Sequence, residues 1–435
     1  MQDDVFRNRG PLLVRNVFLQ GTQQDICINE QGIIEAVGAG AGEAYARSGI
    51  LSIDGEGALA IPGLVNTHTH AAMTLLRGYA DDMHVQEWLQ TKIWPLEAHL
   101  TGEDVYWGTK LACLEMIRSG TVAFKDMYFF MDQATRAVQD MGMKAVMAYG
   151  FIDMGDPDRR EREIRATQEF VSSVKRLGDP RIRPSVGPHA VYTVSEEGLR
   201  WLAEFSREEA VGIHIHLSET EQEVVECRRK TGLRPPAYLD RCGVLTPRTV
   251  AAHCCWLDEE ECALLGTRGV HASHNPQSNM KLAVNRAMPY PYLKKHGVNT
   301  TLGTDGCASN NSLDLFGTMK TAALLQKFFW NLPTLLPAEE VMAMATENGA
   351  RALRTGSGHL EPGAPADLLL IPKEIACNTP LHSMISNLVY SCSGFAVETV
   401  LCQGRVLMYR KEIPGEEEIL SRASKAAADL VRRAS

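Results

Sequence analysis

No stretch of about 18 uncharged apolar residues occurs in the sequence, so no membrane-spanning helix is expected. The opening Met1-Gln2-Asp3-Asp4 shows no basic segment followed by an apolar one, and no signal peptide is expected. The 11 cysteines are odd in number and none stands in a C-x-x-C pair. Cys254 and Cys255 are adjacent, a geometry that rarely closes a disulfide, so reduced thiols in a cytoplasmic enzyme are expected. Basic charge is in deficit: 44 Lys and Arg face 53 Asp and Glu, for a formal net charge of −9. That balance argues against nucleic acid and against anionic membrane as partners. Internal repeats, low-complexity tracts, a G-x-G-x-x-G and a P-loop are missing too, which weakens a nucleotide-binding sheet.

What is present fits a soluble enzyme, with 45% hydrophobic and 22% charged residues over 435 positions. That length predicts one large domain and a smaller one. Residues 1–60 read as short apolar runs broken by turns, such as Pro11–Val17 and Ile33–Gly38. The stretch from Ala366 to about Lys411 reads the same way, so both chain ends are expected to pair into one small β-sandwich. Between them, over 61–355, short buried strands alternate with helix-length stretches. Strands are expected at 122–127, 144–148, 182–187, 212–217, 249–253, 269–273 and 299–305. This alternation is what an α/β (β/α)8 TIM barrel requires, although a doubly wound sheet gives the same pattern. The remainder, 356–435, holds the second part of the sandwich and a terminal helix from Glu416. Ile419, Ala423, Ala426 and Leu430 fall on one face of that helix, as packing positions do.

Polar residues at strand ends carry the chemistry. In Pro62–His70, alternation puts His68 and His70 on one side of a strand, a pleat apart. An isolated H-x-H is weak evidence, because two polar residues at a strand end are common. A second pair, His214 and His216, lies on another strand and is followed by Glu219. His253 ends the apolar run Val250–Ala252, and Asp305 ends Thr300–Thr304. Four strands thus each deliver His or Asp at the C-terminal end, which in a barrel is the catalytic rim. Three histidines and one aspartate make a plausible zinc site with room for water, which points to hydrolysis.

The chain resembles the amidohydrolase superfamily, and within it the 5-methylthioadenosine/S-adenosylhomocysteine deaminases. The likeness runs from PGLVNTHTH to EPGAPADLLLI and rests on HTHAAMTLLRG, HIHLSET, AAHCCWL, SHNPQSNMKLA and LGTDGCASNNS. It implies a distorted (β/α)8 barrel with a β-sandwich built from both ends. It implies metal ligands His68, His70, His216 and Asp305, with His214 a structural residue of the barrel interior. Glu219 corresponds to the acid that protonates the purine ring, His253 to the residue that steadies the tetrahedral intermediate, and Asp305 to the acceptor of the water's proton. Family members with two metals carry a lysine at the end of the fourth barrel strand. Here that strand ends Ser185-Val186-Gly187-Pro188-His189, so one Zn2+ per subunit is expected, with another divalent ion able to take the same ligands.

Substrate contacts follow from the same resemblance. Glu97 matches a ligand of the ribose hydroxyls, against the plainer reading of a surface acid at a helix start. Trp88 matches an aromatic packing on the nucleoside, and His189 a contact to the purine. Members acting on S-adenosylhomocysteine hold its carboxylate with arginines after the third strand. Here Met147-Ala148-Tyr149-Gly150 occupies the first such place, and Arg159, Arg160 and Arg162 lie in what reads as a solvated charged loop. The expected reaction is therefore deamination of 5'-methylthioadenosine or another 5'-modified adenosine, with S-adenosylhomocysteine and adenosine less certain substrates. A triazine-type chlorohydrolase and a guanine or cytosine deaminase are the competing readings, and a non-catalytic binding protein the remote one. Glu97 favours a ribose over a free base, and Glu219 with His253 favours an aminopurine. The small-molecule nucleoside is the expected partner, and a homodimer is the family's habit.

Overall fold

The computed structural model describes residues 2–45 and 50–435. The N-terminal segment supplies β1 (Leu12–Leu19), β2 (Thr22–Ile28), β3 (Ile34–Gly38), β4 (Leu51–Asp54) and β5 (Leu59–Pro62). The middle supplies β6 (Leu64–Thr69), β7 (Thr121–Tyr128), β8 (Lys144–Phe151), β9 (Ile182–Pro188), β10 (Gly212–Leu217), β11 (Thr249–His253), β12 (His271–His274) and β13 (Asn299–Leu302). The C-terminal segment adds β14 (Leu368–Ile371), β15 (Thr399–Cys402) and β16 (Arg405–Met408).

β6 to β13 pair in chain order, all in parallel, with helices between them. This is the α/β barrel that the alternation predicts. Between β13 and β6 the seam is closed largely by side chains. Asn66 donates to Thr304 Oγ1 at 2.7 Å and accepts from the Thr304 amide at 3.1 Å, while Thr67 Oγ1 donates to the Leu302 carbonyl at 2.9 Å. One expected strand ends early. The sequence pattern ran to Asp305, but β13 stops at Leu302, because a side chain at Gly303 would lie 2.3 Å from Asn275 Oδ1 and Asp305 sits at φ 63°. That turn leaves the ladder and swings Asp305 over the barrel.

The chain ends form one further sheet, ordered β16-β15-β14-β5-β1-β2-β3, with β4 beside β1. Period-two alternation divides its faces. Leu59, Ile61, Leu369, Ile371, Val400 and Cys402 join the barrel's core, whereas Ala60, Leu368, Leu370 and Leu401 pack with Leu12, Val14, Ile26 and Ile28 in a separate one. The helix Glu416–Ala434 buries Ile419, Ala423, Ala426 and Leu430 in the barrel's core, and its Arg433 pairs with Asp104. Among the described residues no helix is long and apolar enough to cross a membrane.

A buried polar cluster ties the two parts together. Lys144, the first residue of β8, pairs with Asp367 beside β14, and Asp367 also accepts from Ser357 Oγ and from the Gln403 amide at 2.6 Å. Lys144 and Asp367 are 5% and 1% exposed, so removing one partner strands the other charge in the interior. Lys144→Met should therefore lower stability by about 3–5 kcal/mol. An unchanged denaturation midpoint for this variant would show that the pair does not fasten sheet to barrel.

Candidate active site and metal centre

At the C-terminal ends of the barrel strands the expected residues converge. His68 comes from β6 and His70 from the position just after it, His216 from β10, His253 from β11, and Asp305 from the turn after β13. Ligand atoms of His68, His70 and His216 lie within 4.8 Å of one another, as do those of His68, His253 and Asp305. Asp305 Oδ1 is 3.3 Å from His68 Nε2 and 3.4 Å from His70 Nε2, and His70 Nε2 is 3.2 Å from His216 Nε2. The backbone bends sharply to achieve this: Ser218, His253, Cys254 and Asp305 all adopt left-handed φ angles of 48–71°.

Each ring's second nitrogen decides what its first can do. His70 Nδ1 donates to the Met127 carbonyl at 2.6 Å and His216 Nδ1 to the His189 carbonyl at 2.7 Å. A carbonyl only accepts, so both rings carry the proton on Nδ1 and offer Nε2 as a lone pair. His68 Nδ1 meets His214 Nε2 at 2.8 Å, and His68 Nε2 is fully buried with no hydrogen-bond partner. An orphaned buried nitrogen aimed at a carboxylate is what a metal ion satisfies. His253 differs. Its Nδ1 accepts from Asn279 Nδ2 at 2.8 Å, so the ring proton lies on Nε2 and the ring is a donor rather than a ligand. The donor set thus fits a divalent ion held by His68, His70, His216 and Asp305.

Electrostatics agree with that division. Burial, reinforced by neighbouring histidines, holds His216 well below the usual imidazole range and pushes His253 and His189 down to about 3. Neutral imidazoles are the ligating form. Burial works against ionisation of Asp305, but the nearby imidazole of His68, with those of His253 and His70, keeps its carboxyl well below the usual range. Ser278 Oγ donates to its Oδ2 at 2.7 Å and the Gly306 amide to its Oδ1 at 2.8 Å. Glu219 moves the other way: burial, then the charges of Asp305 and Glu223, raise it well above the ordinary carboxylate range. Its Oε1 lies 3.6 Å from His253 Nδ1.

One cavity joins these groups to the expected substrate contacts. Trp88, Glu97, His189, Glu219, His253 and Asp305 all line it. Glu97 is half-buried at the end of the turn Trp94–Glu97, not a surface acid, and accepts from the Tyr128 hydroxyl at 2.7 Å. Burial pushes it up to about 7 despite that bond. Tyr128, Asn279 and Glu223 were not singled out from sequence. Glu223 accepts the amides of Ser218 and Glu219 at 2.8 and 2.9 Å and so fixes the bend that presents Glu219. Four residues after Glu219 at a helix start, it had a readable position but no readable partner.

The arginine segment needs correction. Arg159, Arg160 and Arg162 stand in the helix Pro157–Leu177, not in a loop. Asp156 caps it by accepting from the Arg159 amide, Pro157 suits the first turn, and Arg159 spaces with Glu163 at i,i+4. Burial, with the charge of Glu163 on this helix, raises the Tyr149 hydroxyl, and among the described residues neither Tyr149 nor any arginine or lysine lines the cavity.

Comparison with known proteins agrees with this geometry. The amidohydrolase family model matches residues 59–407. A 5'-deoxyadenosine deaminase of Methanoregula boonei is 60% identical over 99% of this chain and 98% of its own length. A 5-methylthioadenosine/S-adenosylhomocysteine deaminase of Archaeoglobus fulgidus is 47% identical over 86% of this chain and 88% of its own. Among solved structures, a zinc-bound adenosine deaminase of Xanthomonas campestris superposes with a TM-score of 0.91 at 33% identity, covering 97% of this chain and 98% of that one. With a barrel of this order, this histidine–aspartate cluster and matches of this extent, the chain belongs to the amidohydrolase family.

Proposed function

We propose that the protein hydrolytically deaminates a 5'-modified adenosine at C6, releasing ammonia and the inosine analogue, with one Zn2+ held by His68, His70, His216 and Asp305. The observation that carries this reading is that Glu219, His253 and Asp305 line the same cavity as the hydrogen-bonded Glu97–Tyr128 pair. When bound, the ion supplies the Lewis acidity that makes hydroxide available near neutral pH. Glu219, kept protonated by its surroundings, donates to N1 of the purine and thereby makes C6 electrophilic. His253 Nε2–H donates to the oxygen added at C6. Asp305 accepts the proton that water loses and returns it to the amino group as ammonia departs, and its ionised state in the free protein suits that task. His189 faces the purine, Trp88 packs on the nucleoside, and Glu97 Oε2, free of the Tyr128 bond, accepts from the ribose diol.

The 5' end is read from what lines the cavity. Met73, Val85, Leu89, Phe129 and Ile152 offer apolar surface, and no cation stands ready for an amino-acid carboxylate. A 5'-deoxy or 5'-methylthio group suits such a wall. A charged homocysteinyl group would lose solvation without a partner, which costs about 1–3 kcal/mol or more. With zinc-loaded protein, 5'-deoxyadenosine and 5'-methylthioadenosine should therefore exceed S-adenosylhomocysteine in kcat/KM by at least about 10-fold. Absorbance loss and ammonia release measure this directly. S-adenosylhomocysteine as the best substrate would overturn the apolar assignment, and no conversion of any of the three would overturn the nucleoside reading.

A further inference from the structure

The opposite mouth of the barrel holds a second concentration of chemistry. Residues just before or at the starts of β9, β10 and β11, with the end of the helix Glu347–Leu353, surround a cavity of about 270 Å³. Its charged lining is Lys125, Lys175, Arg183, Arg248 and Arg354 against a single carboxylate, Glu209. Glu209 is already engaged by Lys175 at 2.6 Å. Arg183 and Arg354 hydrogen-bond only backbone carbonyls, of Arg354 at 2.5 Å and Pro247 at 3.2 Å. Among the described residues, no carboxylate pairs with Arg183, Arg248 or Arg354. In a chain of net charge −9 such arginines are not short of available acids.

Lys125 gives the cluster its depth. It projects from β7 and is 2% exposed. Its ammonium donates to Ser185 Oγ at 3.0 Å, and Ser185 Oγ passes its own proton to the Gly212 carbonyl at 2.8 Å. An ammonium has three N–H donors, so two are left without a protein acceptor beside a polar, roomy cavity. A buried cation with no counter-ion is costly unless something else neutralises it.

We infer that this mouth is a binding site for a small oxyanion of the phosphate class, seated between Lys125 and the guanidinium groups of Arg183, Arg248 and Arg354. Planar guanidinium groups offer paired N–H donors that match phosphate oxygens, and a buried ammonium adds a point charge. Two physical strains are relieved together. Desolvation pushes Lys125 down to about 7, and Arg354 is lowered by burial and by repulsion from Arg248 and Arg183; an anion between them opposes both effects. The site opens at the end of the barrel away from the deaminase residues. Although the Lys125 charge reaches His68 and His214, Arg248 and Arg354 act on neither, so substitutions at these arginines separate its occupancy from the nucleoside reading.

The test is a 31P NMR titration of metal-loaded protein with inorganic phosphate, repeated on Arg248→Ala and Arg354→Ala. The expected result is binding at about 1 mM or tighter, weakened about 10-fold or more by each substitution as a charge-assisted hydrogen bond is lost. Deamination kinetics and the thermal midpoint should stay unchanged in both variants, which separates the site from the metal centre. A parallel titration with ribose 5-phosphate distinguishes the source of the phosphate. Tighter binding than inorganic phosphate assigns the site to a phosphorylated organic ligand, and equal binding to the free ion. Absence of binding in the parent protein, binding that both variants retain, or equally effective occupancy by chloride overturns the proposal.

Discussion

Glu219→Gln is expected to lower kcat by about 10³-fold while KM changes little and zinc stays bound. The substitution is isosteric, and the bend that presents residue 219 is held through backbone amides by Glu223, not by the Glu219 side chain. A glutamine amide can still donate a hydrogen bond to N1, so ground-state binding survives. It cannot transfer a proton, so C6 remains poorly electrophilic and the loss falls on the chemical step. Burial and the neighbouring charges of Asp305 and Glu223 raise the native side chain well above the ordinary carboxylate range and so favour its acid form. Steady-state kinetics with metal analysis of the same sample decide the matter. A variant with near-native kcat would take Glu219 out of the proton path and leave His253 as the remaining candidate.

Much of this site was legible because β-strands have a period of two. Once His68 and His70 are placed on one strand, both must face the same side, and the hydrophobic runs before His216 and His253 fix where those strands end. That the two chain ends build one sheet was legible from their short apolar runs bounded by turn residues, but not that β5 is the strand that meets β14. What the pattern could not carry was conformation at single residues. Asp305 directly follows the strand-like run Thr300–Thr304, yet its left-handed backbone takes it out of β13, and close packing around Gly303 is visible only in three dimensions. Partners distant in sequence were hidden for the same reason. Tyr128 is 31 positions from Glu97, and Asn279 is 26 from His253. The misread loop at Arg159–Arg162 is a different case. Its Asp156-Pro157 start was a readable helix signal, outweighed by the density of charge that follows.

Asp305→Ala should be the more damaging change, because one side chain serves two purposes. In the proposed mechanism it is the only anion among the ligands and also the group that accepts the water's proton. Without it three neutral imidazoles remain, and activity should fall by about 10⁴-fold or more as bound zinc is lost. Ser278→Ala separates orientation from ligation. It removes the 2.7 Å hydrogen bond to Asp305 Oδ2, together with a 3.0 Å contact to Ser309 Oγ, and leaves every ligand in place, so metal affinity should drop about 10–100-fold and excess zinc should restore turnover. Stability provides a readout independent of activity. An ion that binds only the folded chain stabilises it by about 4 kcal/mol at a thousandfold excess over its dissociation constant. Chelation should therefore lower the unfolding midpoint of the native protein and leave that of Asp305→Ala where it was. If Asp305→Ala instead keeps its zinc and still responds to chelator, His68, His70 and His216 suffice to hold the ion, and Asp305 would keep only its part in moving the water's proton.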